Sequence, residues 1–123
     1  MESKDGEMAS TAFFDEEMLR WRMGGDVDDM KALLNAFSME SQKFLGEIND
    51  DIERRDAFAL RTHSESLHEC SSAISSMTVK YFANRMAHLA ENYDFDSAKR
   101  LLPLLAASLQ MLDKKLREDG WLV

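Results

Sequence analysis

The chain has 123 residues, a net charge of −8, 45% hydrophobic and 31% charged residues, one proline, five glycines and one cysteine. That length and balance fit a single globular domain with a real core and exclude wholesale disorder. The charge argues against nucleic acid or an anionic membrane surface as partner, since either would need a basic face that the chain lacks.

The lone Cys70 excludes an internal disulfide and suits a reducing compartment. No apolar run approaches membrane-spanning length, and the opening MESKDGEMAS is acidic and polar rather than a signal peptide. A soluble cytoplasmic protein is the expectation. Few turn-formers, with abundant Ala, Leu, Met, Glu and Lys, point to an all-α chain.

Residues 1–11 have little to bury and are expected to form a loose tail. Phe13, Phe14, Met18, Leu19 and Trp21 then anchor a short helix, with Asp15 as N-cap and Gly24-Gly25 as its end. Asp26, followed by Asp29, starts a long helix. Its stripe runs through Met30, Leu33, Leu34, Phe37, Ser41, Phe44, Leu45, Ile48 and Ile52 to about Glu53. Arg54-Arg55-Asp56 breaks that pattern, and Asp56 can cap a second long helix.

On this second helix Leu60, His63, Leu67, Cys70 and Ile74 recur at helical spacing as an inward row. Arg61, Glu65, His68, Glu69 and Ser72 form an outward one. His63 is expected to be partly buried and hydrogen-bonded locally, and Cys70 to be a small core residue rather than a nucleophile. Ser75, Ser76 and Thr78 supply the next turn and cap. A further helix carries Val79, Phe82, Ala83, Met86, Leu89 and Ala90 inward.

After the turn at Asn92-Tyr93-Asp94-Phe95-Asp96, a last helix runs from about Asp96 to Arg117. Ala98, Leu101, Leu102, Leu105, Leu109, Leu112 and Leu116 form its stripe. Pro103 interrupts the pattern and, lying near the helix start, is expected to cost only a bend. Four long helices joined by short turns predict an antiparallel four-helix bundle over residues 12–118, with a short additional N-terminal helix and a C-terminal tail at 119–123.

The order FDEEMLRWRMGGD, MKALLNAFSMESQKFLGEI, RRDAFALRTHSESL and AKRLLPLLAASL, covering about Phe13 to Leu116, resembles a histidine-containing phosphotransfer (HPt) domain. The resemblance implies a four-helix bundle that passes phosphoryl groups between receiver domains of a two-component phosphorelay. The family signature Ala-His-x-Leu-Lys-Gly-Ser/Ala-Ser/Ala falls, without gaps, on Ser64-Glu65-Ser66-Leu67-His68-Glu69-Cys70-Ser71. Leu67 and Ser71 match. Glu65 stands where the phosphoacceptor histidine is expected, His68 at the lysine and Glu69 at the glycine.

A carboxylate is a poor substitute for imidazole, because its acyl phosphate is a labile carrier, and Glu69 sets a negative charge beside an incoming dianion. The resemblance therefore implies a degenerate member that binds a response-regulator receiver domain or a histidine kinase without phosphotransfer, as a monomer or weak dimer. No catalytic residue, metal or cofactor is expected.

Phe58, Arg61, Glu65, His68, Glu69, Ser72, Tyr81 and Asn84 are the candidate partner-binding residues. Alternatives stay open. A register slid by three residues, roughly 4.5 Å along the axis, would make His68 the acceptor. Glu65 is otherwise a partial phosphate mimic or a plain solvated carboxylate. Phe58 is an exposed anchor or is tucked under the entry helix. The whole chain is otherwise a helical adaptor unrelated to phosphorelays. Glu65-Ser-Leu-His68 also spells the Glu-x-x-His of di-metal bundles, but no second such pair exists.

Overall fold

Aspartate side chains set where the helices begin. The computed structural model describes residues 11–123. In it, helical residues 11–13 are followed by α1 (Glu16–Arg22), α2 (Val27–Arg54), α3 (Ala57–Ala73), α4 (Met77–Glu91) and α5 (Phe95–Glu118), with no strand among the described residues. Asp15, Asp26, Asp56 and Asp94 each accept the amide three residues on at 3.0–3.1 Å, satisfying donors that a helix start leaves free. The last helix thus begins at Phe95, with Asp94 rather than Asp96 outside it. α4 starts without such help, for the hydroxyl of its N-cap Ser76 is buried and unpartnered.

Tight turns separate the long helices, so consecutive ones run antiparallel. α3 packs on α2 and α4, and α5 packs on α4 and α2, closing a ring of four helices. The expected stripes line the shared core, with Leu34, Ile48, Leu60, Leu67, Val79, Met86, Leu105, Leu112 and Leu116 nearly inaccessible. Burying a side chain of this kind contributes about 1.5–3 kcal/mol. Two residues of the expected inward row on α3, His63 and Cys70, are only half-buried. Pro103 is the ninth residue of α5, beyond the first two turns, and the helix continues through it. It faces solvent, where water can meet the carbonyl it leaves unbonded.

α1 lies across the α3–α4 turn. The Asp15 amide donates to the Ser75 carbonyl at 3.0 Å, and Arg22 Nη1 donates to the Ser72 carbonyl at 2.8 Å. Leu19 and Phe14 plug the core at that end.

Most of the expected N-terminal tail, residues 1–10, lies outside the described residues; Thr11 is helical. Residues 119–123, expected as a C-terminal tail, include a turn and a buried tryptophan. Gly120 takes φ +82° at the end of α5, and the Trp121 amide returns to the Leu116 carbonyl at 2.9 Å, a Schellman closure that swings Trp121 back onto the bundle. Trp121 is 6% exposed. Its ring stands edge-on to Phe14 at 6.4 Å, its Nε1 donates to Glu16 at 2.8 Å, and its carbonyl accepts from Asn35 at 3.0 Å. These contacts tie the two ends of the described chain to each other and, through Asn35, the C-terminal end to α2.

Candidate docking face on α3 and α4

The face owes its geometry to small residues beneath it. Leu60, Ser64, Leu67 and Ser71 are buried on α3, and Ala83, Ala87 and Ala90 are buried on α4. Serine and alanine at these levels let the two helices lie close, which brings their outer rows side by side. Ser71 Oγ donates to the Leu67 carbonyl at 2.6 Å, whereas Ser64 Oγ has no partner. The periodicity of apolar residues alone does not flag either serine as inward.

Glu65 is the central residue of α3, with eight helical residues on each side. Its side chain is 50% exposed, and Oε1 accepts from Arg61 Nε at 2.9 Å. Arg61 also faces Glu91 Oε1 of α4 at 3.5 Å, and Glu91 Oε2 lies 3.5 Å from His88 Nδ1. The hydrogen bond that Arg61 donates to Glu65, then the charges of Glu65 and Glu91, hold the Arg61 guanidinium more firmly protonated than usual. Arg61 thus bridges the helices, and the Glu65 carboxylate is paired rather than free.

The remaining expected residues divide. Phe58 is 81% exposed, and Tyr81, Asn84 and Glu69 are also exposed. Because α1 lies at the opposite end, against Ser72 and Ser75, it does not cover Phe58. His68 is half-buried rather than exposed, and Ser72 is half-buried with its carbonyl engaged by Arg22. Among the described residues, no hydrogen bond or ion pair joins Tyr81 or Asn84 to α3; Tyr81 packs edge-on to Phe82 at 5.4 Å.

Glu91 and Tyr93 are not among the expected partner-binding residues. With Ala57, Phe58, Arg61 and Ala90, they line an open notch of about 200 Å³ where α3 begins and α4 ends. An aromatic just past a helix end, beside an acidic residue, was the available signal.

His63 is partly buried, as expected, but its partners lie on α2 rather than nearby in the chain. Its Nδ1 lies 2.6 Å from Asp51 Oδ2 and its Nε2 3.1 Å from Glu47 Oε2, so it clamps α3 to α2. Asp51 is fully buried, and its other oxygen faces Arg54 at 3.3 Å. Burial, then the charges of Glu40 and Glu69, push the Cys70 thiol upward, away from nucleophilic character at neutral pH. No group of three or more His, Cys, Asp or Glu side chains among the described residues is arranged to hold a metal ion. No helix among them is long and apolar enough to cross a membrane.

This arrangement of helices has a counterpart among solved structures. The crystal structure of histidine-containing phosphotransfer protein B from Pseudomonas aeruginosa PAO1 superposes with a TM-score of 0.80 at 18% identity, over 86% of this chain and 92% of that one. No family model and no curated protein matches the sequence. The chain therefore has the fold of a histidine-containing phosphotransfer protein, an all-α bundle whose second long helix carries the face described above.

Proposed function

We propose that the chain is a cytoplasmic phosphorelay module that docks a receiver domain or histidine kinase on its α3–α4 face and does not itself carry a phosphoryl group. The observation that carries this reading is Glu65, exposed at the centre of α3 in a phosphotransfer fold. A phosphoacceptor must be a reachable nucleophile, and a carboxylate bound to Arg61 is a weak one. His68, the imidazole one turn beyond Glu65 on the same face of the helix, is less accessible than Glu65, which supports the ungapped register. The module is not an enzyme in this reading. It competes with active phosphotransfer proteins for their partners.

Incubation with a phosphorylated receiver domain tests the proposal. The expected result is saturable binding with no acid-labile label on this chain. Label that disappears in His68→Gln and survives in Glu65→Gln would instead assign phosphotransfer to His68. Failure of receiver domains and histidine kinases alike to bind would leave a helical adaptor outside phosphorelays.

A further inference from the structure

The notch between α3 and α4 has a chemistry of its own, distinct from the Glu65 position one turn away. Two aromatic rings flank it: Phe58, and Tyr93, which is 72% exposed. Neither ring packs on another aromatic among the described residues, unlike Phe14 and Phe82. Its floor is made by Ala57 and Ala90, and its polar wall by Arg61 and Glu91.

The charge balance of that wall decides what enters. Arg61 is shared between Glu65 at 2.9 Å and Glu91 at 3.5 Å, and the His88 ring lies 3.5 Å from the other Glu91 oxygen, leaving two carboxylates to one guanidinium and one imidazole. The nearby cations on the α2–α3 turn are engaged elsewhere: Arg54 on Asp51 at 3.3 Å, and Arg55 over the Phe95 ring at 4.9 Å. The notch is thus locally anionic within a chain of net charge −8. An anion would have to break the Arg61 pairs against that field. A cation on an apolar stem would meet aromatic faces along its length and a carboxylate at its head.

We propose that this notch receives a lysine or arginine side chain presented by the protein docked on the α3–α4 face. The inference rests on the docking reading above and specifies its partner's chemistry. The stem lies between Phe58 and Tyr93, and the charged head reaches Glu91.

Tyr93 sits at φ +55°, a conformation that glycine adopts more readily than any side chain with a Cβ. Its side chain is therefore separable from its structural position. Tyr93→Gly relieves backbone strain while deleting the ring.

The test is titration of the ¹⁵N-labelled chain with acetyl-arginine amide, acetyl-norleucine amide and acetyl-glutamate amide, followed by amide shifts. Saturable shifts centred on Phe58, Arg61, Glu91 and Tyr93 are expected with the arginine compound, and binding of norleucine should be roughly three- to thirty-fold weaker. Phe58→Ala, Glu91→Gln and Tyr93→Gly should each weaken arginine binding, and Tyr93→Gly should do so with an unchanged or raised melting temperature. Equal binding of norleucine would make the notch merely apolar. Preference for glutamate, arginine-induced shifts spread over the acidic surface, or no saturable shift would each overturn the proposal. The outcome is independent of receiver binding. Arginine amide bound without any receiver-domain or histidine-kinase binding would sink the docking reading and leave the notch intact, and the reverse result would sink the notch alone.

Discussion

At Glu65 the chemistry turns on one carboxylate and its neighbours. Paired to Arg61 at 2.9 Å, it offers less than one free negative charge, well short of the roughly −1.5 to −2 of a phosphoryl group. Any resemblance to a phosphorylated state is accordingly weak, and Glu65→Gln should change partner affinity far less than Phe58→Ala, as read by calorimetric titration with a receiver domain. Restoring the nucleophile alone should not restore transfer. Glu65→His leaves His68 where the family resemblance expects a lysine and Glu69 where it expects a glycine, so a carboxylate still faces the incoming dianion. In a phosphorylated-receiver assay Glu65→His should remain near background, while adding His68→Lys and Glu69→Gly should bring label onto the chain. Strong labelling of the single variant would show that the flanking charges do not matter. Cys70 offers a separate check. Burial and the charges of Glu40 and Glu69 raise its pKa, so alkylation by iodoacetamide at pH 7 should be slower than that of a free thiol and should accelerate as pH rises.

Helix ends were the legible part of the fold, and long-range closures the illegible part. Asp15, Asp26 and Asp56 cap the helices they were expected to cap, because capping chemistry involves only residues three apart. Trp121 could not be placed that way. Its partners Glu16 and Asn35 lie 105 and 86 residues away, and only the Gly120 turn hinted that the chain folds back. The notch was half-legible for the same reason: Phe58 stood out on an outward face, but its pairing with Tyr93 and Glu91 depends on how closely the Ser64–Ser71 row of α3 meets the alanines of α4. Trp121→Ala should destabilise the bundle by about 3–5 kcal/mol, the range for deleting a large buried aromatic, measured by urea unfolding. A loss below about 1 kcal/mol would mean the segment after Glu118 is a tail after all. Asp94 makes an acid-range prediction. Its hydrogen bonds from Ser97 lower its pKa, so the charged cap contributes stability that is present above the unfolded carboxylate value near 3.9 and is lost as pH falls through the folded one. The melting-temperature gap between the native chain and Asp94→Asn should therefore be flat from about pH 7 to pH 5 and shrink below about pH 4.

Across the whole molecule, two electrostatic effects oppose one another. Pairs such as Arg61–Glu65, Arg117–Asp113 and Lys115–Asp119 sit at 2.8–3.2 Å along single helices and stabilise it. Each such exposed pair is screened by solvent and contributes little. Against them stands an uncompensated charge of −8 whose members repel across the surface. Salt separates the two by distance. The Debye length falls from about 30 Å at 0.01 M to about 8 Å at 0.15 M, which removes repulsion between opposite sides of the bundle but acts little on contacts at 3 Å. Adding sodium chloride over that range should therefore raise the melting temperature by a few degrees, an increment that corresponds to about 0.5–1 kcal/mol for a domain of this size. The closed ring of helices, with Trp121 and Arg22 fastening the two chain ends onto it, should make the shift appear in one cooperative transition. A fall in melting temperature with salt would show that the short-range pairs outweigh the net charge.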